Sequence, residues 1–238
     1  MTFLFHFSFY LNLLSVHSVV GEDYAFAPLS KFNNGYPEQK YEQVLASVLD
    51  VYGPIVKEQG GELKILKDWS DGAVNMWAFR WDKEYWLEIP GGMSRYHLIN
   101  EEAFVVSICH ELGHLLGGEP KSGNISYEGQ SDYFATQDCA DLLLSEMKPY
   151  KALPKDKEVD GICEESLCSR ILKGAKSLTS YYAELEKKVA PQISTPSQTK
   201  VGSTLTRHPP AQCRLDTLVA GYSKEKRPSC WFVNSLDY

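Results

Sequence analysis

Two histidines and a glutamate have the spacing that metal-dependent hydrolysis requires. The segment "HELGH" places His110 and His114 four residues apart, with Glu111 directly after the first histidine. Residues four apart on a helix lie on the same face, so both imidazoles can reach one ion. H-E-x-x-H on a helix is typical of zinc sites in which the glutamate is the general base. The pattern therefore predicts His110 and His114 as zinc ligands and Glu111 as the catalytic base.

A buried hydrogen-bonded network without a metal is the alternative interpretation of these three residues. The helix predicted around them, over 101–116, is apolar nearly all round, which is typical of a buried helix. Burying Glu111 there without a partner costs several kcal/mol or forces the carboxyl group to hold a proton. Because a divalent cation removes that cost, the metal interpretation is favoured.

A catalytic zinc takes three protein ligands and leaves a position for water, so a third ligand is needed. The extended motif H-E-x-x-H-x-x-G-x-x-H is excluded, because residue 120 is proline. Glu128 follows on the next predicted helix, with Asp132 one turn beyond it. We expect Glu128 to be the third ligand and Asp132 to accept the free N–H of a ligating imidazole. The alternatives are that both carboxylates are solvated in the first turn of that helix, or that the loop residue Glu119 is the ligand.

The rest of the chain predicts the elements that hold these residues. The segment "YEQVLASVLDVYGPIVKEQ" has apolar positions at helical spacing, and further helices are predicted from near Tyr127 through "LLLSEM" and over 165–189. On the second helix, a stripe of positions from Glu128 to Leu142 shares the face that carries Asp132. A long polar loop is expected over 190–207.

Three short runs, "ELKILKDW", "NMWAFRWD" and "EYWLEIP", are rich in aromatic and branched residues. The separators "SDG" and "DK" suit tight turns, so we expect an antiparallel meander. The predicted fold is a single α+β, zincin-like domain over 22–238, with a disulfide-bearing C-terminal region. In it, a small antiparallel or mixed sheet packs on the buried H-E-x-x-H helix and on a second metal-ligand helix.

The 238 residues carry a net charge of −7, which argues against a nucleic-acid partner held by phosphate contacts.

Residues 1–21 contain no Asp, Glu, Lys or Arg, and an apolar run in them is followed by small residues. This composition predicts a secretory signal peptide cleaved near Ser18 or Gly21, and a secreted or periplasmic protein. Asn12 and His17 argue against a stable membrane span.

The chain contains six cysteines, which allow 15 disulfide pairings, and the sequence does not choose among them. The compartment expected for a secreted protein permits disulfides. Sequence proximity suggests two local pairs and leaves a third on the predicted helices: Cys163 with Cys168, Cys213 with Cys230, and Cys109 with Cys139. No C-x-x-C spacing is present, which argues against structural zinc on cysteine.

Three stretches together resemble a known family. They are "VNMWAFRWDKEYWLEIPGGM" at 74–93, the pair "CHELGH" and "EGQSD", and "TRHPPAQCRL" at 206–215. The sequence resembles the gluzincin zinc peptidases, and among them the M48 group, which includes the membrane-bound CAAX-prenyl and stress-response proteases and their periplasmic relatives. In that group, a strand pair ending in glycine precedes the active helix, and a His-Pro-Pro element followed by arginine comes late in the chain.

The resemblance implies roles for five residues of the H-E-x-x-H and E-x-x-x-D motifs. It places zinc on His110, His114 and Glu128, makes Glu111 the general base, and puts Asp132 behind a ligating imidazole. It also places His208 at the cleft, where it stabilises the oxyanion or occludes the metal, and it matches Arg214 to the arginine of the late element.

The function expected from the sequence is that of a secreted or periplasmic zinc endopeptidase acting on peptide or protein substrates. An extended substrate would pair with the strand predicted at 75–81. Two alternatives stay open: a catalytically silent binding or inhibitory module on a peptidase scaffold, and a metal-dependent hydrolase of cell-wall amides. The sequence does not indicate the oligomeric state.

Overall fold

The computed structural model describes residues 26–233, and the predicted signal peptide at 1–21 lies outside them. The fold class is α+β, as predicted. The helices of the described part are Glu38–Glu58 (α1), Gly91–Arg95 (α2), Glu101–Leu116 (α3), Glu128–Phe134 (α4), Ala140–Glu146 (α5), Lys157–Ile162 (α6), Ser166–Leu185 (α7) and Ala211–Tyr222 (α8). The strands are Glu62–Asp68 (β1), Trp77–Trp81 (β2), Glu84–Pro90 (β3), Lys121–Ser122 (β4) and Ile125–Ser126 (β5).

Helix α3 is the buried centre of the fold and has the predicted bounds. Asn100 caps it, since its side-chain oxygen accepts a hydrogen bond from the Ala103 N–H at 2.7 Å. The apolar side chains of α3 are buried, except that of Leu116, which is half-buried, because α7, α4 and the sheet cover the helix on different sides. Gly117 follows its last residue, and the Gly117 N–H donates to the Gly113 carbonyl at 2.8 Å.

The expected antiparallel meander is wrong, because the main sheet is mixed and has the strand order β1-β3-β2. β1 runs parallel to β3, and β2 is antiparallel to β3 at the edge. The segment "SDG" forms part of a longer connection that the buried Arg95 holds away from the sheet. Arg95 donates to the Trp69 carbonyl at 2.6 Å and to the Asp71 carbonyl at 3.0 Å. The chain therefore returns on the far side of β3 instead of beside β1.

The second predicted helix is nearly continuous but contains a π-helical turn at Ala135–Cys139 between α4 and α5. A π turn holds an additional residue, so the positions after it rotate relative to those before it. Leu142, which was expected on the face of Asp132, is 45% exposed, and Leu143 is buried in its place. The prediction that these positions share one buried face is therefore correct as far as Cys139 and wrong for Leu142.

The C-terminal part has two helices, α6 and α8, that the sequence reasoning did not predict. α7 matches the third predicted helix but ends at Leu185, and Lys187 has a positive φ of 55°. The polar segment 190–207 contains neither helix nor strand, as expected. α8 starts directly after Pro210 and packs against α4 and α7. The strands β4 and β5 form a small hairpin in the loop between α3 and α4.

Three disulfides cross-link the described chain, and they join Cys109 to Cys139, Cys163 to Cys168, and Cys213 to Cys230. The first connects α3 to the π-helical turn. The last connects α8 to the segment that contains the fully buried Trp231. Three disulfides indicate an extracellular or otherwise oxidising compartment. Within residues 26–233, no helix combines the length and apolar character that crossing a bilayer requires.

Candidate metal centre

Helices α3 and α4 bring two imidazoles and a carboxylate to one point. His110 Nε2 lies 3.2 Å from Glu128 Oε2, and His114 Nε2 lies 3.6 Å from the same oxygen. The two imidazole rings are nearly perpendicular, with centroids 4.7 Å apart. One potential ligand atom from each residue lies within 4.8 Å of the others, so the group could hold a metal ion. The cluster contains the three residues that were predicted as ligands.

The other nitrogen of each ring fixes the tautomer that faces Glu128. His114 Nδ1 lies 2.8 Å from the main-chain oxygen of Ser126, which can only accept a hydrogen bond. His110 Nδ1 lies 2.8 Å from the Asp132 carboxylate, which is also an acceptor. Both Nδ1 atoms therefore carry the proton in the neutral rings, and both Nε2 lone pairs point towards Glu128.

This arrangement leaves the Glu128 oxygen facing lone pairs. Glu128 Oε2 is buried and has no hydrogen-bond partner among the described residues. A buried acceptor surrounded by acceptors is unfavourable unless a cation lies between them, so the residues present fit a metal ion. The cluster binds protons tightly for the same reason. Burial lowers the pKa of His110, but the carboxylates of Asp132 and Glu128 outweigh it and raise that pKa to about 10.

Asp132 lies behind His110, as predicted, and it also binds Arg214. Arg214 Nε and Nη2 donate to the two carboxylate oxygens at 2.8 and 2.7 Å. Although burial raises the pKa of Asp132, Arg214 and His110 lower it further, so the carboxylate stays ionised. The Arg214 guanidinium stacks on the Tyr182 ring at 3.8 Å from its centroid. This packing fixes the orientation of the His110 ring.

Glu111 lies between the two histidines in sequence and is partly buried on α3. Burial raises its pKa, while the neighbouring histidines lower it by a smaller amount. A raised pKa makes the carboxyl group of Glu111 a better proton acceptor than an ordinary glutamate.

His208 also reaches the cluster, although it belongs to the polar loop before α8. Its Nε2 atom lies 3.2 Å from Glu128 Oε2, and 69% of its side chain remains exposed. Pro209 and Pro210 follow it and lead directly into α8. The side chain therefore approaches the cluster from the solvent.

A close contact between the helices sets the distance from the imidazoles to Glu128. A Cβ atom on Gly113 would lie 2.7 Å from the Cα atom of Ser131, so only glycine fits there. Gln130 Nε2 also donates to the Gly117 carbonyl at 2.7 Å. Glu119, the weaker candidate for the third ligand, is absent from the cluster. Its carboxylate is largely exposed and lies 3.7 Å from Lys121 Nζ, because Glu119 belongs to the exposed loop beyond the end of α3.

Sequence reasoning missed three partners of the histidine rings: the main-chain oxygen of Ser126, Ser131 Oγ at 3.0 Å from His114 Nδ1, and Arg214. Ser126 acts through its main-chain oxygen, which any residue type would supply, so the sequence contains no signal for it. The resemblance pointed to Arg214 without giving it a partner, and its ion pair with Asp132 became visible only in the structure.

The chain matches no protein-family model, no curated protein and no solved structure.

Proposed function

We propose that this protein is a secreted or periplasmic zinc endopeptidase with a single zincin-like domain over 22–238, related in its site to the gluzincins of the M48 group. The observation that supports the proposal is the buried Glu128 oxygen facing the Nε2 atoms of both H-E-x-x-H histidines. Two imidazoles and one carboxylate are a ligand set typical of catalytic zinc. Hydrogen bonds from both Nδ1 atoms orient the rings as zinc sites require.

When bound, zinc supplies a Lewis acid and lowers the pKa of water to about 7. Side chains of the protein would then accept and donate the protons of the reaction. Glu111 accepts the proton of the attacking water and delivers it to the leaving amine, a task for which its raised pKa is suited. His208 is placed to donate a hydrogen bond to the charge that develops on the carbonyl oxygen. While His208 stays on Glu128, it instead covers the cluster.

The edge strand β2 offers a binding surface for an extended peptide. This strand runs beside α3. Met76, the residue before the strand, has its Sδ atom 3.7 Å from Ser107 Oγ. Near the other end of the strand, Arg80 lines the same pocket as Leu115 and Leu116. β2 pairs with β3 on one side only. A substrate that pairs with the other side would therefore pass the histidines.

Hydrolysis assays test the proposal directly. Purified protein loaded with zinc is offered a broad peptide library, a casein-like protein and purified peptidoglycan, with and without a chelator. We expect cleavage of peptide bonds that the chelator abolishes and added zinc restores. Glu111→Gln should retain the metal and lose activity by about 10²- to 10⁴-fold. Glu146→Gln, at an exposed position on α5, serves as the matched control.

Other outcomes would favour the two alternative functions. A protein that binds zinc but cleaves nothing would be a binding or inhibitory module. Cleavage of peptidoglycan alone would identify a cell-wall amide hydrolase. Unchanged cleavage by Glu111→Gln would exclude the proposed mechanism. Metal content cannot separate these functions, because each of them includes a bound ion.

A further inference from the structure

Apart from the candidate metal centre, a polar pocket of about 200 Å³ lies beyond the C-terminal end of α3. Its polar lining consists of two cations, two amides and a serine: Arg80, Lys121, Gln59, Asn124 and Ser126. Among residues 26–233, no carboxylate lines this pocket, although the chain has a net charge of −7. The local charge is therefore opposite to that of the whole molecule.

Arg80 is the central group of this pocket. Its Nε atom is buried and has no hydrogen-bond partner among the described residues. Its guanidinium lies over the Tyr85 ring, 3.9 Å from the centroid, and this contact fixes its position. A guanidinium with an unused buried donor suits a carboxylate, which accepts charge-assisted hydrogen bonds from it. Lys121, at the rim, has an exposed partner in Glu119 at 3.7 Å.

The pocket lies close to the candidate metal centre. Ser126 lines it, and the Ser126 main-chain oxygen lies 2.8 Å from His114 Nδ1. Leu115 and Leu116, also in the lining, follow His114 directly. From the midpoint of the two histidines to these leucines is about 5 Å along the helix axis. Because an extended peptide advances about 3.3 Å per residue, this distance corresponds to one or two substrate residues.

We propose that this pocket is a specificity subsite for a carboxylate-bearing substrate residue, one or two positions from the scissile bond, with Arg80 as its main contact. The inference rests on the proposed peptidase function. The carboxylate is either the side chain of Asp or Glu or the C-terminus of a peptide, since both present the same group to Arg80. The volume of the pocket is sufficient for an acidic side chain but not for a folded partner.

Kinetic measurements on paired peptides test this subsite. Fluorogenic peptides carry Glu or Gln at each of three positions on either side of a fixed cleavage site. At one position we expect wild-type kcat/KM to favour Glu over Gln by about 10-fold or more, as a charge-assisted hydrogen bond allows. Arg80→Gln should reduce that ratio to about one. Lys83→Gln, at an exposed position in the turn after β2, should keep the wild-type ratio.

Two further arms identify the source of the carboxylate and guard against misfolding. Neutral peptides with a free or an amidated C-terminus are compared; a preference confined to the free acid would identify the terminal carboxylate. Arg80→Lys keeps the charge but loses the planar donor pair, so it should retain only part of the preference. Equal rates for Glu and Gln at every position, with no effect of the free C-terminus, would overturn the proposal.

A binding measurement separates failure of the subsite from failure of the proposed function. The same peptides are titrated into zinc-loaded Glu111→Gln protein and its Arg80→Gln double variant, and affinity is measured by fluorescence anisotropy. One outcome is that wild-type protein shows no cleavage while Glu111→Gln protein binds the acidic peptide at least about 10-fold tighter than the double variant does. In that case the pocket binds anions, and the proposed peptidase function is wrong. Equal affinities for acidic and neutral peptides would contradict the subsite even if cleavage occurs.

Discussion

The two ends of helix α3 both bury carboxylates, but they satisfy them in different ways. At the N-terminal end, Glu102 accepts a hydrogen bond from Arg170 Nε at 2.9 Å. Its neighbour Glu101 accepts from the Tyr36 hydroxyl and from the Tyr150 main-chain N–H, both at 3.0 Å. At the C-terminal end, the Glu128 oxygen faces the Nε2 atoms of His110 and His114 and makes no hydrogen bond with any described residue.

The comparison shows that a buried charge alone does not indicate a functional site. Arg170 also donates to the carbonyls of Leu144 and Met147, both at 2.6 Å. Its Nη2 atom makes no hydrogen bond within the described residues but lies 4.0 Å from Glu101 Oε1, so the guanidinium charge is paired with both carboxylates. Such a network holds the fold in place and has no need for an ion. The arrangement around Glu128 brings acceptors together, and it needs a cation to become favourable.

Loss of metal should be the largest effect. Glu128→Ala removes one of three ligands, so we expect wild-type protein to bind about one zinc ion and the variant to bind almost none at micromolar zinc. Elemental analysis after dialysis measures this. Glu119→Ala, which removes the weaker candidate ligand, should bind as wild type does. If Glu128→Ala binds zinc as tightly as wild type, the assignment of the third ligand is wrong.

Breaking the N-terminal network should affect stability instead of metal binding. Arg170→Met leaves the buried Glu102 carboxyl group without its partner, so the free energy of unfolding should fall by about 3–5 kcal/mol. Urea denaturation measures this loss, with Lys188→Met as an exposed control. Zinc content per folded molecule should not change. A variant that stays folded but no longer binds zinc would show that the two ends are coupled.

The residues behind the ligands should have a smaller effect on metal affinity. Asp132→Asn weakens the acceptor for His110 Nδ1, so zinc affinity should fall by about 10- to 100-fold in competition with a chromophoric chelator. Arg214→Lys keeps the charge but loses the bidentate contact with Asp132, and its effect should be smaller. An Asp132→Asn affinity equal to that of wild type would argue that the His110 orientation does not depend on this carboxylate.

The smallest effect should be a pH dependence at Glu101. Burial raises the pKa of this carboxyl group, so between the unfolded value of about 4.5 and the raised folded value the native state holds more protons than the unfolded state. The contribution of Glu101 to stability is therefore lost as pH rises through this window. Glu101→Gln removes that loss, so we expect its stability relative to wild type to improve as pH rises from 4 to 8.

Urea denaturation at four pH values measures the Glu101 effect. Glu102→Gln, the adjacent residue of the same type, provides the comparison, because it weakens the contact with Arg170 and should be less stable than wild type throughout. A constant difference between Glu101→Gln and wild type over this pH range would contradict the prediction.

The sequence allowed the metal cluster to be predicted because its residues lie on two helices with clear signals. The cap at Asn100, the glycines at 117–118 and the apolar run between them define α3. Glu128 and Asp132 have the spacing of one helical turn. Residue type and helical period were therefore sufficient to group His110, His114 and Glu128.

The remaining features depend on tertiary contacts that have no local signature. The parallel pairing of β1 with β3 follows a long connection after β1 whose carbonyls accept hydrogen bonds from Arg95, a residue distant in sequence. The π-helical turn that exposes Leu142 shows no distinctive composition. α8 was missed because a short, weakly amphipathic segment after two prolines resembles the polar loop before it. The cationic pocket at Arg80 also required the packing of β2 against α3.

The contact of Gly113 with the Ser131 backbone has a consequence for protein engineering. A designer who transfers the two histidines and the carboxylate to another helix pair must also place glycine at the position of Gly113. Even alanine at this position would force the two backbones apart, because its Cβ atom would lie 2.7 Å from the Ser131 Cα atom, and the third ligand would move away from the other two. The second variable position of H-E-x-x-H, which the motif leaves open to any residue, must therefore be glycine in this scaffold.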